Sequence, residues 1–343
     1  MKKHLFAVCY CTVLIVFSVS LALDTFVLSK SYNTNAGEMN TAMFSQLSSD
    51  EEETPDSNSN SQQMLSASSG RRQRAATMKS THTGRSGSAG AESSGTSASL
   101  PASSAGSTSY QDENLSITLS TCRVSDTTVY VADVTVSSAQ YLKTAFANNT
   151  YGKNVTATTS SIAQANGAIL AINGDYYGVQ EKGYVIRNGI VYRDTAKGAD
   201  VLCVYADGSM EVVSDRDYSA EELVAKGVWQ AFTFGPALVE DSAVVVDVNT
   251  EVGKAMASNP RTAIGLIDNN HFLFVVSDGR TEESEGLSVY ELAVFMQSLG
   301  VQTAYNLDGG GSSTMVFNGQ VVNKPTTNGS IRERSVSDIV YIG

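Results

Sequence analysis

Histidine is nearly missing from this chain, with 3 among 343 residues. His4 lies in an apolar N-terminal run, His82 in a Ser-rich stretch, and His271 directly after an Asn269-Asn270 turn. None is placed as a base, which argues against a Ser-His-Asp triad, a Cys-His pair and a histidine zinc site together. Cysteine is almost as sparse, at 4. Cys9 and Cys11 fall in the apolar run, and Cys122 and Cys203 are too few for a disulfide framework. Those two could pair in an oxidising compartment; Cys203, inside Val201-Leu202-Cys203-Val204-Tyr205, equally suits a buried apolar position. Basic charge is in deficit, with 23 Lys and Arg against 35 Asp and Glu and a net charge of −12. No nucleic-acid partner is therefore expected, because such proteins carry a basic footprint. Two glycine signatures also fail. No Lys follows the glycines at 309–311 as a phosphate-binding P-loop requires, and Thr314 stands where a G-x-S-x-G elbow needs its last glycine.

One long apolar run is present, at residues 5–23, preceded by Lys2 and Lys3 and followed by Asp24. It is long enough to span a bilayer as a helix, and the lysines place its N-terminus in the cytoplasm. The reading is a single-pass membrane anchor over 1–28, with the rest of the chain extracytoplasmic. The alternative is a cleaved signal peptide, with Ser20-Leu21-Ala22 as the cleavage site, and a secreted protein. Residues 29–111 are rich in Ser, Thr, Gly and Asn, with acids at 50–53 and arginines at 71, 72 and 74. Apolar residues are too scattered there to offset the entropy of ordering, so a disordered linker is expected.

Residues 112–343 read as one α+β domain, strand-dominated, with a mixed sheet, several hairpins and a few packed helices. Hairpin signals stand at Asn188-Gly189, Asp207-Gly208, Asp241-Ser242, Asn269-Asn270 and Asn318-Gly319. Ser288 and Glu291 form a capping box ahead of a helix ending at Gly300. Ser219 to Gly227 holds a shorter helix, and 138–146 and 160–166 also read as helical.

What remains for chemistry is acids, arginines and amides at strand ends, where folds commonly place sites. Four clusters carry them: Asn173-Gly174-Asp175-Tyr176-Tyr177, Arg261-Thr262, Asp278-Gly279-Arg280, and Asn306-Leu307-Asp308 with Gly309, Gly310, Gly311, Ser312 and Ser313. Glycines permit positive φ and close approach, and consecutive N–H groups in such a turn can cradle an anion. Asp308 beside that turn is the first choice for base or nucleophile. Asp175 is second, for a sugar hydroxyl or a metal, and Asp278 is expected to orient Arg280. Arg187, Arg261, Arg280 and Arg334 are candidates for phosphate contact, with Arg187 and Arg334 equally suited to structural ion pairs. The carboxylates suit glycoside hydrolysis and also an oxygen-ligated Ca²⁺ or Mg²⁺, although no EF-hand spacing is present and the metal is left unassigned.

Taken in order with Phe234-Gly235-Pro236 and Ala263-Ile264-Gly265, these clusters resemble the phosphodiester glycosidase family, which is related to the catalytic domain of the lysosomal uncovering enzyme. Bacterial relatives include exopolysaccharide biosynthesis proteins. The resemblance covers about residues 115–343. It implies a hydrolase that cleaves a sugar-1-phosphodiester, with a carbohydrate or sugar-phosphate polymer as substrate. Rival readings are a non-catalytic glycan-binding or polymer-assembly module, and a phosphodiesterase that cuts P–O.

Overall fold

The structure is a computed structural model, and it describes residues 2–33, 39–44, 108–250 and 258–343. Most of the expected linker, with its acidic and arginine clusters and His82, lies outside the described residues.

Three sheets enclose one core. The largest has eight strands, in the spatial order Ala243–Val244, Ala237–Glu240, Thr303–Asn306, Arg261–Asp268, His271–Ser277, Thr127–Val136, Leu115–Val124 and Thr108–Gln111. A five-stranded sheet runs Met210–Ser214, Asp200–Tyr205, Val228–Phe232, Val185–Arg187, Ile190–Arg193. A second one runs Gln320–Val321, Met315–Phe317, Leu170–Asn173, Asp338–Ile342, Leu142–Phe146. Every strand pair in these sheets is antiparallel rather than mixed, and short turns join many of the neighbours. The domain's sheet begins at Thr108, so residues 108–111 belong to it rather than to the linker.

Alternation explains the layering. In His271–Ser277, Phe272, Phe274 and Val276 face the shared core, while Leu273 and Val275 face the opposite side. Both faces are covered, so the strand reads as an unbroken apolar run. Helix Val289–Ser298 covers the outer face through Leu292, Ala293 and Met296. Gly265 admits it: a Cβ there would stand 2.7 Å from Met296 Cε. Helix Thr159–Ala165 covers the second five-stranded sheet through Ile162, and helix Ala220–Ala225 covers the first through Leu223.

The expected capping box forms at Ser288/Glu291, and a second one forms at Ser219/Glu222. All five hairpin turns join paired strands. The helix expected over 138–146 is a single 3₁₀ turn, Ala139–Tyr141, followed by strand Leu142–Phe146. Its apolar spacing serves sheet pairing with Asp338–Ile342 instead. Cys122 and Cys203 are both free thiols, and Cys203 is buried.

The N-terminal helix runs Lys2–Phe26. Its described side chains include Val13, Ile15, Val16 and Phe17, all exposed. Among the described residues no helix is long and apolar enough to cross a membrane. The residues that follow are docked on the domain. Strand Lys30–Asn33 pairs antiparallel with Tyr151–Lys153, and Asn40 N–H donates to Asn188 O at 2.9 Å. Phe44 meets Trp229 edge-on at 4.9 Å between ring centres.

Candidate functional site

Antiparallel register brings the sequence clusters to one place. Arg261, starting its strand, lies opposite Ser277, ending its own, and Ala263 lies opposite Asn306. Arg261-Thr262, Asp278-Gly279-Arg280 and Asn306-Leu307-Asp308 therefore share one edge of the eight-stranded sheet. The fourth cluster arrives from the second five-stranded sheet, where Asn173 is paired with Ile339. Thr262 Oγ1 donates to Asn173 Oδ1 at 2.8 Å, and Asn173 Nδ2 donates to Asp308 O at 2.6 Å, which ties the two sheets together. His271 sits at the opposite end of its strand, against Asp133.

Asp308 is buried to 9% exposure at this junction. Its Oδ2 accepts the Ser312 hydroxyl at 2.6 Å and Arg334 Nη2 at 2.8 Å. Arg334 Nε also donates to Ser312 Oγ at 2.8 Å. Among the described residues no donor bonds Oδ1, so one carboxylate oxygen is left for a ligand or a water. Burial raises the Asp308 carboxyl above its ordinary pKa, against the pull of Arg334 and Ser312.

The glycine turn uses part of the expected amide cradle itself. Gly310 N–H donates to Pro260 O, Ser312 N–H to Gly309 O and Ser313 N–H to Gly310 O, so these amides are used within the protein. What Gly310 admits is a guanidinium group: a Cβ there, where φ is +61°, would stand 2.9 Å from Arg280 Nη2. A Cβ on Gly309 would meet Pro260 O at 2.9 Å and one on Gly311 Thr327 Oγ1 at 2.7 Å, with Arg261 Cδ and Arg334 Cδ in ordinary contact at 3.9 and 3.5 Å.

Three arginines thus converge on three glycines. Arg261 is buried and donates from Nε to Leu287 O at 2.8 Å. Burial, and then the Arg280 charge, lower its pKa to about 10. Two cations held this close favour an anion between them. Arg280 has a left-handed φ of +61°, uncommon for a residue with a side chain. Its Nε and Nη2 both donate to Asn259 Oδ1, at 3.0 and 2.8 Å.

Asp278 does not orient Arg280. Its carboxylate accepts Lys324 N–H at 2.7 Å, Asn323 Nδ2 and the Tyr130 hydroxyl, which pins the 323–324 loop, and burial raises its pKa. Asp175 is likewise held from behind the site. It accepts Tyr177 N–H at 3.1 Å and Thr233 N–H at 3.3 Å, and lies 3.0 Å from Arg187 Nη2. Arg187 is buried beneath the site, with Asp338 Oδ2 accepting from its Nε at 2.8 Å, so it makes a structural ion pair and no phosphate contact. Burial disfavours the Arg187 cation, but Asp175 and Asp338 outweigh it and raise its pKa. Thr262, Ser313 and Asn306 are buried and hold loops: Thr262 Oγ1 reaches Ser313 Oγ at 3.2 Å, and Asn306 Nδ2 reaches Gly235 O at 2.8 Å. Among the described residues no group of three or more His, Cys, Asp or Glu side chains is arranged to hold a metal ion.

Sequence reasoning missed Asn259 and Asp338, whose partners Arg280 and Arg187 lie far away in sequence. An acid opening the apolar run Ile339–Ile342 was the one available signal for Asp338.

The phosphodiester glycosidase family profile matches residues 166–343. The chain belongs to the phosphodiester glycosidase family. The SPbeta prophage-derived uncharacterized protein YomE of Bacillus subtilis (strain 168) is 30% identical over 203 residues, which is 56% of this chain and 30% of YomE. The human N-acetylglucosamine-1-phosphodiester alpha-N-acetylglucosaminidase is 32% identical over 122 residues, 34% of this chain and 24% of that protein. The chain thus matches about a third or less of the length of these relatives. In fold, the catalytic domain of the zebrafish enzyme of that name, auto-inhibited by pro-peptide, superposes with a TM-score of 0.53 at 19% identity, covering 66% of this chain and 82% of that one. A hypothetical protein from Synechocystis gives 0.55 at 15% identity, covering 70% and 64%. These likenesses establish a shared strand-dominated phosphodiester glycosidase fold.

Proposed function

We propose that this protein hydrolyses a sugar-1-phosphodiester, of the N-acetylglucosamine-1-phosphodiester kind, in a surface polymer or glycan outside the cytoplasm. One observation carries the reading: a buried carboxylate, Asp308, with one oxygen unbonded among the described residues, stands at a glycine turn beside Arg261, Arg280 and Arg334. In the proposed step Asp308 takes a proton from water as the water oxygen bonds to the anomeric carbon. The bond from that carbon to the phosphate oxygen breaks, and its electron pair leaves with the phosphate monoester. That leaving group is good without strong acid catalysis. Arg261 and Arg280 hold its charge where it develops. The family and the names of the relatives support the substrate class. The extracytoplasmic placement, with residues 5–23 in the membrane, rests on the apolar run and its flanking lysines.

Hydrolysis of a synthetic N-acetylglucosamine-1-phosphodiester in ¹⁸O-labelled water tests the reaction. Label is expected in the sugar. Label in the phosphate means P–O cleavage and overturns the proposal.

A further inference from the structure

Behind the site lies an ion cluster that nothing in the reaction above uses. Asp338 opens the strand Asp338–Ile342 and is fully buried. Its Oδ2 accepts Arg187 Nε at 2.8 Å and lies 2.8 Å from Arg187 Nη2, which is also 3.0 Å from Asp175 Oδ1. No N–H of Nη2 is aligned on either carboxylate, so that part of the attraction is ionic rather than a directed hydrogen bond. Among the described residues Asp338 Oδ1 has no hydrogen-bond partner. Replacing such a buried ion pair with apolar residues is often neutral or stabilising, so its presence calls for a use other than stability.

The route to the site is a single peptide. Gly174 N–H donates to Asp338 O at 3.0 Å, while Gly174 O accepts Asp308 N–H at 3.3 Å. A Cβ on Gly174 would stand 2.4 Å from Asp338 Oδ1, so only glycine lets the turn rest on that carboxylate. The Gly174–Asp175 turn is thus clamped between Asp338 and Asp308. We propose that Asp338 is a positioning residue for the hydrolysis, setting the place and the basicity of the Asp308 carboxylate through Arg187 and the Gly174–Asp175 turn.

The charges around Asp338 fix the sign. Arg187 faces it from the strand Val185–Arg187, Asp175 and Tyr177 from the turn after Leu170–Asn173, and Asp308 from the turn after Thr303–Asn306. Burial, opposed by Arg187 and reinforced by Asp175, brings the Asp338 pKa up to about 7. When it ionises, it adds a negative charge near Asp308 and makes that carboxylate a stronger base.

The inference rests on Asp308 as the general base. In Asp338→Asn the shape is kept and the charge is permanently removed. With an N-acetylglucosamine-1-phosphodiester, kcat is expected to fall about tenfold with KM nearly unchanged. The loss should appear above about pH 7, where wild-type Asp338 is ionised, and the two kcat–pH profiles should converge below it. Wild-type kcat above about pH 7 in a folded variant overturns the inference. If Asp338→Asn does not fold, the double variant Asp338→Asn, Arg187→Gln removes both charges; kcat is then expected to fall through lost positioning alone, with KM nearly unchanged, and wild-type kcat in it overturns the inference. The base assignment is separable: turnover retained in Asp308→Asn removes that reading, whatever Asp338→Asn does.

Discussion

Arg334 Nη2 lies 2.8 Å from Asp308 Oδ2, across 26 residues of chain. Arg334 is half exposed and Asp308 nearly buried, so the pair sits where one end meets solvent and the other is desolvated. Removing the cation leaves the Ser312 hydrogen bond to oppose the burial of Asp308. Arg334→Ala is expected to lower turnover by about 10²-fold and to move the acid limb of the kcat–pH profile upward. Steady-state kinetics from pH 4 to 9 would show it, and a limb that stays in place would mean that Arg334 does not tune Asp308.

Gly310 takes a φ of +61° and leaves room for Arg280 Nη2. Gly310→Ala places a methyl 2.9 Å from that nitrogen and strains the backbone. A stability loss of about 1 kcal/mol is expected, with a larger proportional loss in kcat/KM for a phosphodiester. Thermal melting and kinetics on the same preparation separate the two effects. Equal kcat/KM would show that Arg280 is not needed where the glycine puts it.

The segment Leu28–Phe44 has a measurable consequence. Ser29 Oγ bonds Asn154 O at 2.9 Å, strand Lys30–Asn33 pairs with Tyr151–Lys153, and Phe44 packs on Trp229. A protease site engineered between residues 74 and 75 should cut the chain and yet leave the helix-bearing piece bound to the domain. Gly152→Val should release it, because a Cβ at 152 meets Lys30 O at 2.0 Å. Size-exclusion chromatography of the cut protein decides; separation of the two pieces without the Gly152 change would count against docking.

Stability should depend on pH with a definite sign. The folded protein holds a proton on Asp338 up to about pH 7, whereas the unfolded chain releases it near 3.8. Between those values the native state binds more protons, so this group's contribution makes stability fall as pH rises from about 4 to about 7. Asp308 and Asp278, also raised by burial, act in the same direction. Urea unfolding across this range should be flatter in Asp338→Asn than in wild type. An equal slope would place the Asp338 proton elsewhere.

Much of the site was legible because its parts are local. Asp308 with Gly309–Gly311, and the acid–glycine pairs at 174–175 and 278–279, announce turns at strand ends from neighbouring residues alone. Roles were harder to read. Asp278 was expected to serve Arg280, its near neighbour, and instead binds Lys324 and Asn323. Asp175 and Asp308 look alike in sequence, yet one is pinned by Thr233 and Arg187 and the other keeps an unbonded oxygen. Residues 138–146 misled because a short apolar run fits either period until its pairing partner is known.

The sequence by itself determined many of the strands, the hairpin turns and the Ser288 helix cap, because each depends on residues within a few positions of one another. It also determined what chemistry was available: carboxylates and guanidinium groups, with no histidine in place. Only the tertiary structure decided which carboxylate faces which arginine. Arg187 with Asp338, and Arg334 with Asp308, are separated by 151 and 26 residues. Their pairing follows from sheet register and from the burial that makes an unpaired charge costly, and neither is encoded in any short stretch of the chain.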